Sequence, residues 1–215
     1  MLFQDFLKYI PKIEKEKLLA EDAHAKMAPL ERISFLKQEH YSDKNPKQAA
    51  VLMLFYPKMG QTNLALIVRN SYPGVHSSQI GFPGGKVEKE DKDLAATALR
   101  ETEEEVGVAR QKVTIVKPFS TIYIPPSNFL VAPFMGISQE ELQFIPDLDE
   151  VKRVLEFPLQ LFLDDNTITK VKMTTSYATD IEVPAFMVDK YVVWGATAMM
   201  MSELKETLKN ALNLK

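Results

Sequence analysis

The stretch from Gln79 to Val108, QIGFPGGKVEKEDKDLAATALRETEEEVGV, constrains this chain more than any other. A Gly-Pro-Gly-Gly loop leads into a segment of helical periodicity. In it Glu101, Glu103, Glu104 and Glu105 crowd into a single turn. Like charges at i,i+4 repel and cost helix stability. A sequence that keeps them needs a compensating positive charge, and a divalent cation is the obvious candidate.

On a helix, residues three and four apart share a face, so Glu101, Glu104 and Glu105 become neighbours, with Arg100 one turn below Glu104. Leu94, Ala95, Ala98, Leu99, Thr102 and Val106 form the opposite stripe, small enough to pack closely on a sheet. The spacing predicts a helix from about Asp91 to Val106, stopped by Gly107 in the left-handed conformation. Three carboxylates without His or Cys make a hard oxygen site suited to Mg²⁺ or Mn²⁺. Taken alone, RETEEE favours a solvated face of Arg–Glu pairs. The preceding GFPGGK tips the balance, because glycine lets backbone groups approach an ion or a phosphate closely. A P-loop does not fit: Gly81 to Lys86 is one residue short, and Val87 stands where Ser or Thr is needed.

The pattern does resemble the Nudix hydrolase signature. Gly85 matches its first glycine, Arg100-Glu101 its Arg-Glu pair, Glu104-Glu105 its paired glutamates and Gly107-Val108 its end. Fourteen residues separate Gly85 from Arg100, one more than the common pattern. The mid-loop acid therefore falls among Glu90, Asp91 and Lys92. The upstream run LIVRNSYPGVHSSQIGFPGGKVEKED is similar to the extended motif of coenzyme A pyrophosphatases, with Arg69, His76, Gln79 and Phe82 to Gly85 at the matching places. YIPPSNFLVAPF and the WGATAMMMSEL helix are also similar to that group, so the resemblance covers about Gln48 to Leu212.

The rest of the chain reads as one mixed α/β unit. Residues 1–40 form an N-terminal helical arm: Leu2, Phe3, Phe6, Leu7 and Ile10 follow helical spacing, Pro11 ends that run, and Pro29 opens another. EHYSDKNPK is the linker. AAVLMLFYP and NLALIVR flank KMGQT as a hairpin. VTIVKPFSTIYI, NFLVAPFMGI, VKRVLEF, TITKVKM, IEVPAFMV and YVVW read as strands. PLQLFL opens a helical turn, and ATAMMMSELKETLKNAL is the last helix. The resemblance implies an α+β Nudix fold over residues 46–215, a mixed β-sheet sandwiched between helices.

Composition narrows the partners. A net charge of −3 gives no basic face for nucleic acid, and with no cysteine there is no disulfide or thiolate site. No apolar run approaches membrane-spanning length, and the N-terminus has no signal-peptide pattern. The expected location is cytoplasmic.

The resemblance implies metal-dependent hydrolysis of a diphosphate, with coenzyme A as the small-molecule substrate. A nucleoside diphosphate derivative such as ADP-ribose is the alternative. A non-catalytic Nudix-fold regulatory protein is a third reading, which the full set of helix glutamates disfavours. The expected metal ligands are Glu101, Glu104 and Glu105, with a carbonyl at Gly84 or Gly85. Arg100 orients a glutamate. Asp147, Asp149 and Glu150 are candidates for the general base, as are the helix glutamates, with Glu150 first. Arg69, His76, Gln79 and Phe82 are the expected substrate contacts. Arg69 reads as a binder of a 3′-phosphate or equally as a salt-bridging strand end, Gln79 carries the same ambiguity, and His76 either contacts substrate or orders its loop. Met199 to Met201 are core packing before they are a slot for a pantetheine arm. The helical arm could mediate a homodimer.

Overall fold

The computed structural model describes residues 1–33, 36, 41–70, 79–174 and 179–214. Four short helices open the chain: α1 (Phe3–Leu7), α2 (Ile10–Lys15), α3 (Glu21–Ala25) and α4 (Leu30–Ile33). Pro11 does not end a helix. It sits in the first turn of α2, where its missing N–H costs nothing.

Then come β1 (Lys47–Lys58), β2 (Gln61–Arg69), β3 (Ile80–Gly81), β4 (Gly84–Lys86), α5 (Leu94–Val106), β5 (Thr114–Pro118), β6 (Ile122–Ile124) and β7 (Phe129–Ile137). β8 (Val151–Pro158), α6 (Leu159–Leu163), β9 (Ile168–Met173), β10 (Ile181–Val188), β11 (Tyr191–Val193) and α7 (Gly195–Leu212) complete the order. VTIVKPFSTIYI thus divides into two strands, each pairing with a different half of β7. The glycine loop holds two short strands that the sequence pattern does not reveal.

β1 is the axis of the main sheet. It runs parallel to β7 on one side. On the other it is antiparallel to β2 at one end and to β4 at the other. Met59 and Gly60, both at positive φ, close the β1–β2 hairpin, as a tight two-residue turn requires.

Both faces of β1 are covered, which explains its uninterrupted apolar run. Ala50, Leu52, Leu54 and Tyr56 share a core with Ala98 and Val106 of α5. Ala49, Val51, Met53 and Phe55 share another with α7 and with Phe3, Phe6, Ile13 and Met27 of the arm. The sheet is therefore sandwiched between helices. Phe6 lies 5.2 Å from Phe55, ring centre to ring centre. Each such buried side chain stabilises the docked arm by about 1.5–3 kcal/mol relative to exposure.

A buried polar knot ties the same layers together. Glu203 of α7 accepts from Ser120 and from the Ala20 amide, beside His24. A second, three-stranded antiparallel sheet, β9–β10–β11, packs beside α7. No helix among the described residues is long and apolar enough to cross a membrane.

Candidate active site

Helix α5 begins at Asp93, whose carboxylate accepts from the Ala96 amide, and stops at Gly107, at φ 71°. Both are local capping devices. Gly107 has a second duty, because a Cβ there would meet Ile145 at 2.9 Å. The chain after β7 passes against this helix end, with Ile145 N donating to Val106 O and Asp147 N to Glu105 O.

Glu105 is buried, and its environment defines the site. Oε2 accepts from the Gly84 amide at 2.8 Å, and Oε1 lies 3.0 Å from Arg69 Nη1. That second contact is an ion pair without hydrogen-bond alignment, so Oε1 has no hydrogen-bond partner among the described residues. Arg69 Nη2 donates to the Gly84 carbonyl at 2.8 Å. Burial pushes the Glu105 carboxyl up to about 7. Arg69 and the Gly84 amide oppose the rise, while the charges of Glu101 and Glu150 add to it.

The glycines are here for space. At Gly84, with φ 150°, a Cβ would run into the backbone of Ala50 and Val51. At Gly85 it would meet the Glu101 carboxylate at 2.5 Å. Glu101 therefore presses directly on the loop. Its carboxyl is raised by burial, against the pull of Arg100.

Arg100 is buried and fully occupied. It donates to Asp91 at 3.0 and 2.9 Å, to Lys86 O at 2.8 Å, to Glu101 at 3.1 Å and to Glu104 at 2.8 Å. It orients the glutamates rather than facing a ligand. Of the three loop positions Glu90, Asp91 and Lys92, it is Asp91 that bonds Arg100. Its hydrogen bonds with Arg100 hold it well below the usual carboxylate range, and it also accepts from the Glu88 amide and Thr97. Sequence reasoning assigns Asp91 no partner, because a contact nine residues apart across a helix start leaves no periodic signal. Glu104, at 53% side-chain exposure, is the outermost glutamate.

Glu150 arrives from another part of the chain. β2 pairs with β8 so that Arg69 stands opposite Val151, and the Asn70 amide donates to Glu150 O. The Glu150 charge therefore acts on both Glu101 and Glu105. Asp147 instead caps a turn by accepting from the Asp149 amide.

The expected substrate contacts separate. Arg69 and Gln79 line a cavity of about 490 Å³, but Arg69 is committed to Glu105 and Gly84, which weakens the case for it as a phosphate reader. Phe82 is a core residue that contributes only at the cavity wall. His76 lies outside the described residues. Ala49, Val51 and Phe129 from the sheet, Trp194 and Met200 from the α7 end, and Arg32 from the arm complete the lining. Met199 and Met201 are fully buried packing, and Met200 alone of that run reaches the cavity. Arg32 is not among the residues the sequence marks for the site, since nothing in its local pattern singles it out.

The donor set fits a hard divalent cation: carboxylate oxygens, one of them a buried oxygen without a hydrogen bond, beside glycine carbonyls. Arg100 engages Glu101 and Glu104, Arg69 engages Glu105, and among the described residues no three acidic or histidine side chains converge on one point.

A mixed sheet between helices, with an Arg-clamped glutamate helix against a glycine loop, defines the class. The NUDIX domain model matches residues 46–176. Nudix hydrolase 15, mitochondrial, of Arabidopsis thaliana is 36% identical over 71% of this chain and 55% of its own length. The uncharacterized Nudix hydrolase NudL of Klebsiella pneumoniae is 33% identical over 74% of this chain and 82% of its own. A Nudix hydrolase of M. smegmatis, RenU, shares the fold at a TM-score of 0.53 and 14% identity, covering 77% of this chain and 87% of its own. The chain belongs to the Nudix hydrolase family. It spans only 55% and 64% of the length of two plant relatives.

Proposed function

We propose that this protein hydrolyses the diphosphate linkage of coenzyme A or its derivatives, with Mg²⁺ or Mn²⁺, to 3′,5′-ADP and 4′-phosphopantetheine. The observation that carries this reading is the buried Oε1 of Glu105, ion-paired with Arg69 but without a hydrogen bond, beside the Gly84-Gly85 loop and next to a cavity of small-molecule size. Glu101, Glu104 and Glu105, with a carbonyl of Gly84 or Gly85, would hold the ion. When bound, it neutralises phosphate oxygens and lowers the pKa of water.

The protein's own residues supply position and proton transfer. Arg100 orients Glu101 and Glu104, and Arg69 orients Glu105. Glu150 is the general base. It takes a proton from water as the water oxygen bonds to one phosphorus. The bridging P–O bond breaks, and the leaving phosphate keeps the electron pair. Gln79 and the edge of Phe82 face the substrate, and the resemblance implies a substrate contact for His76. The cavity wall of Phe129, Trp194 and Met200 offers an apolar surface for a ring or a pantetheine arm.

That same wall suits an adenine without a pantetheine arm, so ADP-ribose is the second reading. Incubation with coenzyme A and with ADP-ribose, each with Mg²⁺ or Mn²⁺, followed by mass spectrometry of the products, separates the two. Release of 3′,5′-ADP and 4′-phosphopantetheine supports coenzyme A. Cleavage of ADP-ribose alone replaces it.

A further inference from the structure

Arg69, the arginine in the substrate motif, is consumed by Glu105 and the Gly84 carbonyl. Two other cations meet at the rim of the cavity. Lys86 directly follows the Gly84-Gly85 pair, and its ammonium lies 5.9 Å from the centre of the Phe129 ring. The Lys47 ammonium lies 6.0 Å from the same centre.

Sheet register explains the meeting. Lys47 stands opposite Phe129 across the β1–β7 pair, and Ala49, two residues on, stands opposite Lys86 across the β1–β4 pair. Lys47, Ala49 and Val51 point to one face of β1, and the small Ala49 leaves the two long side chains room to converge on Phe129. Neither ammonium has a carboxylate partner among the described residues. Lys58 and Lys209, by contrast, pair with Glu156 and Asp165. A third cation, Arg32, lines the same cavity, held from the arm side by the Tyr123 carbonyl. In a chain of net charge −3, such a gathering beside an acidic site calls for an anion. A face of Phe129 adds an apolar surface beside it.

We infer that Lys47 and Lys86, at the Phe129 rim, form the subsite for a second phosphate of the substrate, a phosphomonoester separate from the diphosphate that is cleaved. The inference rests on the diphosphatase reading of the neighbouring glutamates and deepens it, because it states what the distal part of the substrate carries. Consecutive Cα atoms are about 3.8 Å apart, so Lys86 is one step from the loop that faces the diphosphate. A lysine so close to that loop can reach a phosphate carried on the same nucleotide, as a 3′-phosphate is on an adenosine 5′-diphosphate group. The lysines act as point charges, and at the rim their attraction is screened by salt.

The test is binding of 3′,5′-ADP against AMP by calorimetry, with wild type, Lys47→Gln, Lys86→Gln and the double variant. Turnover of coenzyme A against dephospho-coenzyme A is measured in parallel with Mg²⁺. Wild type should prefer the 3′-phosphate in both assays by about tenfold or more, as two charge-assisted contacts imply. The preference should fall in each single variant, approach unity in the double variant, and weaken with added salt. Arg69→Ala should lower turnover of both substrates and leave the preference in place. An absent preference in wild type overturns the inference, and so does one that survives the double variant. If the double variant fails to fold, a preference undiminished in both single variants overturns it equally. If coenzyme A is not cleaved but the lysines still set the preference for 3′,5′-ADP, the subsite stands and the substrate reading falls.

Discussion

Glu105→Gln separates the cost of the acidic cluster from its use. In the metal-free protein the Glu105 carboxyl sits at about 7 through burial, against an ordinary value of about 4.3. Holding it ionised in the fold therefore costs about 3.5 kcal/mol at pH 8. The amide removes that cost and keeps the shape. It also turns one NH₂ toward donors, either the Gly84 amide or Arg69, which returns about 1 kcal/mol. The metal-free variant should be more stable than wild type by about 2.5 kcal/mol at pH 8, several degrees in Tm for a chain of this size.

The pH dependence has a definite sign. The unfolded carboxyl loses its proton near pH 4.3 and the folded one near 7, so the unfolded state is favoured increasingly as pH rises between them. Wild type loses stability relative to the variant across that window, and the difference is level on either side. With saturating Mn²⁺ the order should reverse, because only wild type gains fully from binding. Chemical denaturation at stepped pH, with and without metal, reads all three effects, and turnover should fall by orders of magnitude. A metal-free variant less stable than wild type at pH 8 would refute the burial cost, and so would a difference that does not change between pH 4 and 8.

EDTA should abolish turnover, and Mg²⁺ or Mn²⁺ should restore it, because every expected ligand is oxygen; full activity in verified metal-free protein would sink the metal site. Arg100→Ala strands buried Asp91 and releases Glu101 and Glu104, so it should cost about 3–5 kcal/mol as well as turnover. A denaturation midpoint close to wild type would contradict the clamp. Gly85→Ala puts a methyl group on the Glu101 carboxylate; the fold should survive in circular dichroism while Mn²⁺ affinity drops at least tenfold. Gly84→Ala meets backbone instead, and the measured loss there should be soluble, folded protein.

Local chemistry makes much of this protein legible in its sequence. Helix α5 can be read from its apolar stripe, its acidic turn and Gly107, because capping and i,i+4 contacts act within a few residues. The β1–β2 hairpin follows from two apolar runs around a glycine turn, and the Nudix resemblance points to Glu101, Glu104, Glu105 and the glycine loop. What depends on partners far along the chain is not legible. Arg69 is committed to Glu105, 36 positions on, because β2 and β4 pair with the same edge of β1 and bring the strand end to the loop. Asp91 rather than Glu90 takes the arginine, since only the turn at Glu88 and the bond to Thr97 set its carboxylate against Arg100. Arg32 and Lys86 line one cavity, with Lys47 against its Phe129 wall, because the arm buries Phe3 and Phe6 against the sheet and β1 pairs with both β4 and β7. Residue spacing decides which side chains share a helix face; sheet register and burial, which act between distant segments, decide which of them meet.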